Sequence, residues 1–192
     1  MRRSFFRAVA TALVMLLATH ASVRAADDYT IDDAHSGVSF KVSHLGLSWI
    51  PGRFNEISGN FSVDKDEPSK SSFALTIKAE SIDTGNAKRD QHLRSPDFFN
   101  VKQFPLLSFK STSVKAAKGG YEVSGDFTLH GQTQSITFTL TGGKQAEFPK
   151  GIQRTGFSTD LVLKRSDFGM EKFKGAIGDE VHVSVSFEGV KK

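Results

Sequence analysis

Apolar and polar residues alternate with a period of two along most of this chain. Near its end Val181, Val183, Val185 and Phe187 alternate with His182, Ser184, Ser186 and Glu188. The same beat recurs in Val38/Phe40/Val42, Ile57/Phe61/Val63, Phe73/Leu75/Ile77 and Leu107/Phe109. It returns in Tyr121/Val123/Phe127/Leu129, Ile136/Phe138/Leu140 and Phe157/Leu161/Leu163. Successive side chains of a strand point to opposite faces, so each run is a ribbon with one apolar and one wet side. Eight such ribbons predict an all-β fold, a closed antiparallel barrel or a sandwich, and not a βαβ protein. An eight-stranded barrel is about wide enough either to fill with side chains or to hold one small ligand. The pattern leaves both readings open.

The punctuation between ribbons supports antiparallel neighbours. Gly119-Gly120 and His130-Gly131-Gln132 read as hairpin connections, and Asp64 to Ser71 as a polar turn. Pro51, within Trp49-Ile50-Pro51-Gly52, argues for a bend or an edge. The period is lost from Asp83 to Pro96. There Thr84 or Asn86 can cap a short helix over Ala87 to Arg94, which Pro96 stops. This helix is expected across one end of the barrel, with Asp97-Phe98-Phe99 tucked against it. A second irregular stretch, Ser166 to Asp179, carries Phe168, Met170, Phe173 and Ile177. It is long for a hairpin loop, as lids and binding loops are.

The first 25 residues stand apart. Arg2, Arg3 and Arg7 precede an apolar run from Ala8 to Ala18, and Val23 and Ala25 supply small residues for cleavage. This is the pattern of a secretory signal peptide, too short for a permanent membrane anchor. Export by the general secretory route to the periplasm is expected over the twin-arginine route, despite the Arg2-Arg3 pair. Residues 26–192 then form one domain. The chain has 25 basic and 21 acidic residues, but Arg2, Arg3, Arg7 and Arg24 all fall in the signal, which holds no acid. The remainder is balanced, and no basic stripe suggests nucleic acid. The absence of cysteine excludes thiol catalysis and Cys-based metal or haem sites. His35, His44, His92, His130 and His182 lack close-paired spacing, so no metal site is expected.

Several motifs in order resemble the YceI-like family. They are Asp33-Ala34-His35-Ser36, Gly52-Arg53-Phe54, Ser81-Ile82-Asp83-Thr84-Gly85 and the run from Arg89 to Phe99. Phe104-Pro105, Leu107 to Ser111, Gly125 to Thr133 and Arg165 to Gly169 follow. Gln132 departs from the family's frequent aliphatic residue in that turn. The resemblance implies an eight-stranded antiparallel lipocalin-like barrel with a short helix covering one end. It also implies a periplasmic carrier of an isoprenoid lipid, a quinone such as ubiquinone or a polyprenyl chain, with no enzymatic activity and no cofactor beyond that lipid. A homodimer and a membrane respiratory partner come with it as expectations.

For such a site the requirement is an unfilled apolar tube. By parity the candidate lining is Val38, Phe40, Val42, Phe61, Leu75, Ile77, Phe109, Phe127, Leu129, Phe138, Leu140, Leu161, Val183 and Phe187. Phe99 beside the helix and Phe168 in the long loop join it. His44 shares the parity of Phe40 and Val42, and at a strand end it can meet a polar headgroup or bond a loop carbonyl. Arg89 and His92, three apart, share a helical face. They can orient a quinone oxygen or phosphate, although Arg89 bonding loop carbonyls or Asp97 is the simpler reading. Other classes stay in view: an outer-membrane barrel, disfavoured by two Tyr and one Trp; an isomerase using the cavity; and a packed exported module, acting in stress response without a lipid.

Overall fold

The computed structural model describes residues 26–192; the expected signal peptide lies outside the described residues. Ten strands are arranged in one sheet: β1 (Asp27–His44), β2 (Ser48–Phe54), β3 (Ile57–Val63), β4 (Ser72–Lys78), β5 (Ile82–Asp83), β6 (Leu106–Ala117), β7 (Gly120–Leu129), β8 (Gln132–Glu147), β9 (Gln153–Lys164) and β10 (Ile177–Lys191). Eight of them close a ring in the order β1, β3, β4, β6, β7, β8, β9, β10 and back to β1. Every pairing is antiparallel. These eight are the eight ribbons of the alternating pattern, so the barrel stands and the sandwich does not. Closure removes the free edges that an open sheet would present.

The two remaining strands are small additions. β1 is long enough to be shared: Asp27 to Thr30 pair with β3, and Val38 to His44 pair with β2. β5 adds only Arg53–Asp83 and Phe54–Ile82 to β2. Pro51 faces Lys41 on β1 at a point where β2 has no second neighbour, which suits a residue without an amide donor. The motif Asp33-Ala34-His35-Ser36 is a bulge in β1, where the register against β10 jumps from Asp32 to Gly37. The Ser36 hydroxyl bridges it, donating to the Asp32 carbonyl at 2.7 Å and accepting from the Glu188 amide at 3.1 Å.

Helix α1 spans Ala87–Arg94, and Asn86 is its cap: the Asn86 side chain accepts from the Arg89 amide. The long loop proves shorter than expected. A single 3₁₀ turn over Arg165–Phe168 follows β9, and β10 has begun by Ile177. Arg165, itself buried, holds this loop from inside. Its guanidinium donates to the carbonyls of Gly178 and Lys172 at 2.9 Å, Ile177 at 3.1 Å and Met170. Burial pushes its pKa down, opposed by the nearby carboxylates of Asp179 and Glu171.

Packing divides the interior in two. At the end where β1 begins, Tyr29 stacks on Phe61 at 5.0 Å and Phe61 on Phe73 at 5.7 Å. Phe157 and Phe187 meet Phe61 edge-on at 5.9 and 5.4 Å. Val63, Val114 and Val123 complete this plug. Toward the other end the buried residues are Val38, Phe54, Ile57, Ile82, Phe98, Val101, Leu107, Leu129, Phe168 and Met170, drawn from the strands and from the segments after α1 and β9. Between them the barrel is not filled.

Candidate functional site

A cavity of about 520 Å³ occupies the half of the barrel nearest α1. That is within the size range of small-molecule sites, roughly 300–1,000 Å³. Inward-facing residues of the strands form its wall, as parity dictates. Val38, Phe40 and Val42 come from β1, Leu75 and Ile77 from β4, and Phe109 from β6. Phe127 and Leu129 come from β7, Phe138 and Leu140 from β8, Leu161 from β9, and Val183 and Phe187 from β10. Phe99, Phe168, His44, Arg89 and His92 also reach it.

Phe61 was expected on this wall and does not reach it. It has the inward parity, but it sits too deep, inside the aromatic plug with Tyr29 and Phe73. Phe73, Leu140 and Phe187 belong to plug and wall together and make the floor. Other wall residues escaped the sequence reading of the site. Phe54 and Ile57 lie on β2 and β3, Leu93 and Phe98 on and after the helix, Met170 and Phe173 on the loop, and Ile177 at the start of β10. The last three were visible as apolar residues in a polar stretch, a signal that they needed cover.

Polar wall groups are few, and Thr84, Arg89, His92 and Arg165 are engaged. Arg89 donates through Nε to Thr84 Oγ1 and through an NH₂ group to the Thr84 carbonyl, both at 2.7 Å. This is the loop-carbonyl reading. Asp90 completes the knot by accepting from the Thr84 amide at 2.9 Å and its hydroxyl at 2.5 Å. His92 Nε2 lies 2.9 Å from Asp97, and Lys172 Nζ lies 3.2 Å from the other oxygen of the same carboxylate. Asp97 thus ties α1 to the loop before β10. The His92 hydrogen bond, then the Lys172 ammonium, hold its carboxyl below the usual carboxylate range. Thr159 is different: its side chain is buried on the wall, and its Oγ1 is the one buried polar atom without a hydrogen-bond partner among the described residues.

Three wall residues are also exposed at the protein surface: His44 at the end of β1, His92 on α1 and Phe173 in the loop. They mark the mouth. Among the described residues no hydrogen bond to a loop carbonyl holds the His44 ring, and no group of three His, Asp or Glu is placed to hold a metal ion.

The YceI-like domain family matches residues 29–189. The chain belongs to the YceI-like family. A UPF0312 protein of Pseudomonas aeruginosa is 40% identical over 169 residues, covering 87% of this chain and 88% of that one. Protein YceI of Salmonella arizonae is 38% identical over 182 residues, covering 94% and 95%. Solved structures share the YceI-like barrel. The Campylobacter jejuni YceI protein superposes with a TM-score of 0.69 at 25% identity, over 95% of this chain and 99% of that one. A polyisoprenoid binding domain from Saccharophagus degradans, implicated in plant cell wall breakdown, gives 0.63 at 19% identity over 85% and 98%. At that identity the likeness is one of fold.

Proposed function

We propose that this YceI-like barrel is an exported, periplasmic carrier that shelters the hydrocarbon tail of an isoprenoid lipid, a quinone or a polyprenyl chain. The observation that carries the reading is the continuous apolar cavity of about 520 Å³ above the aromatic plug. Water cannot solvate a long alkenyl chain without cost, and a dry tube removes that cost. Each buried methylene contributes about 0.8 kcal/mol, so a dozen carbons contribute about 10 kcal/mol before the loss of ligand freedom.

The mouth supports binding without turnover. Its charged groups are committed to the fold: Arg89 to Thr84, His92 and Lys172 to Asp97, Arg165 to loop carbonyls. His44 stands at the rim, where a headgroup would come to rest. The Saccharophagus degradans domain, of the same fold, is itself described as polyisoprenoid binding. The basic and apolar N-terminal segment supports export.

Organic extraction of the protein purified from its native compartment, followed by mass spectrometry, tests this directly. A prenyl lipid is expected in stoichiometric amount. An extract without lipid, from protein whose circular dichroism shows an intact barrel, would refute it.

A further inference from the structure

From the rim of the cavity we infer that the open end of the barrel docks on an anionic phospholipid surface through an apolar tip formed by Leu45, Leu47, Trp49 and Phe173. This rests on the carrier reading, and states how the lipid passes between bilayer and barrel. Leu47 is 82% exposed, Leu45 55%, and Trp49 and Phe173 48% each. The turn joining β1 to β2 carries Leu45 and Leu47, Trp49 follows at the start of β2, and the Leu45 amide donates at 2.7 Å to the carbonyl of Ala176, three residues from Phe173. The two segments therefore form one rim. The rim is continuous with the cavity, because His44, Ile50, Phe173 and Ala176 line its wall.

Two further observations identify the partner. Each exposed aromatic of the tip carries an ammonium over its ring: Lys41 Nζ is 5.2 Å from the Trp49 centroid, and Lys172 Nζ 5.4 Å from that of Phe173. An aromatic ring at the acyl boundary with a lysine at phosphate level is the arrangement that suits a membrane interface. Carboxylates are present, since Asp97 pairs with Lys172 and Glu171 with Lys174. Lys41 stands opposite His182 of β10 and over the Trp49 ring, and among the described residues it has no carboxylate in salt-bridge contact.

The backbone supplies the second observation. Leu45 and Phe173 have φ of 54° and 56°, in the left-handed region where a bulky residue is strained and Asn or Gly is favoured. Large apolar side chains are thus kept at two exposed positions where folding favours small polar ones. A second copy of this chain fits the tip less well. Stable protein interfaces engage roughly 20–30 residues a side, and four side chains on a turn, a strand end and one loop do not supply them.

Trp49 is the only tryptophan in the chain, so its fluorescence reports on the tip alone. Mature protein is mixed with vesicles of phosphatidylethanolamine and phosphatidylglycerol, and with phosphatidylcholine vesicles. A blue shift and quenching by brominated lipid are expected, stronger on the anionic vesicles and weakened by salt. In cosedimentation L45N/L47S is expected to partition at least about tenfold less, with a melting temperature unchanged or raised and unchanged lipid in the extract. Neither Leu45 nor Leu47 lines the cavity. Unshifted Trp49 emission at saturating vesicles overturns the inference, as does equal partition of wild type and variant. So does a wild-type dimer that L45N/L47S converts to monomer while vesicle binding is unaltered. Vesicle binding by a protein whose extract is empty would sink the carrier reading and leave the docking surface standing.

Discussion

Asp32 shows how a single side chain organises the seam between β1 and β10. Its carboxylate accepts from the Arg154 guanidinium and lies 2.9 Å from His35 Nδ1, within the bulge that Ser36 bridges. These hydrogen bonds, Arg154 first, lower its pKa from 3.8 to about 2. A carboxyl whose folded pKa is depressed contributes stability that is complete above the unfolded pKa and disappears as pH falls through the folded one. The window is therefore pH 4 down to 2, and the contribution about 1–2 kcal/mol after allowance for partial exposure. Urea midpoints measured across that range should fall for the wild type and fall less for Asp32→Asn. An equal slope in both would show that the seam does not depend on this carboxylate. Thr159 makes the opposite case. An unpartnered buried hydroxyl costs stability, so Thr159→Val should stabilise the lipid-free protein by about 1 kcal/mol in denaturant titration.

At the scale of elements, hydrophobic period and turn chemistry carried most of the fold. The eight ring strands each repeat an apolar residue every second position, and Asn86, one of the two caps legible in the sequence, and the stop at Pro96 bound α1 in the barrel. Depth along the barrel was not legible, because parity says which face a side chain takes and nothing about height. Phe61 and Leu75 both point inward, yet one fills the plug and the other lines the cavity. β2 was obscured by Pro51 and by Gly52, whose role is tertiary. Gly52 faces Phe40 across the β1–β2 pair, and a Cβ built on it would meet the Phe40 ring at 2.3 Å. The glycine thus gives room to a ring on the cavity wall. Gly52→Ala should turn that ring into the cavity and reduce bound lipid several-fold while the barrel stays folded. Lipid quantified per mole of protein, beside a circular dichroism spectrum, would check it; unchanged occupancy would mean the ring moves elsewhere.

For the whole molecule, one barrel contains two kinds of interior, and substitution energetics should distinguish them. In the plug every ring has aromatic neighbours at 5–6 Å, so Phe61→Ala removes both transfer free energy and contacts, costing about 3–5 kcal/mol. In the open half, Leu161 and Val183 are cross-strand partners that both face the cavity. Enlarging a side chain there meets empty space. Leu161→Trp should leave the stability of the lipid-free protein unchanged or raise it, and exclude the hydrocarbon tail. In a filled interior the same change would overpack, costing about 1–3 kcal/mol. The sign of the Leu161→Trp effect in denaturant titration therefore reports whether the space is vacant, independently of any ligand. A destabilised variant that still carries lipid would contradict both the hollow upper half and the position assigned to the tail.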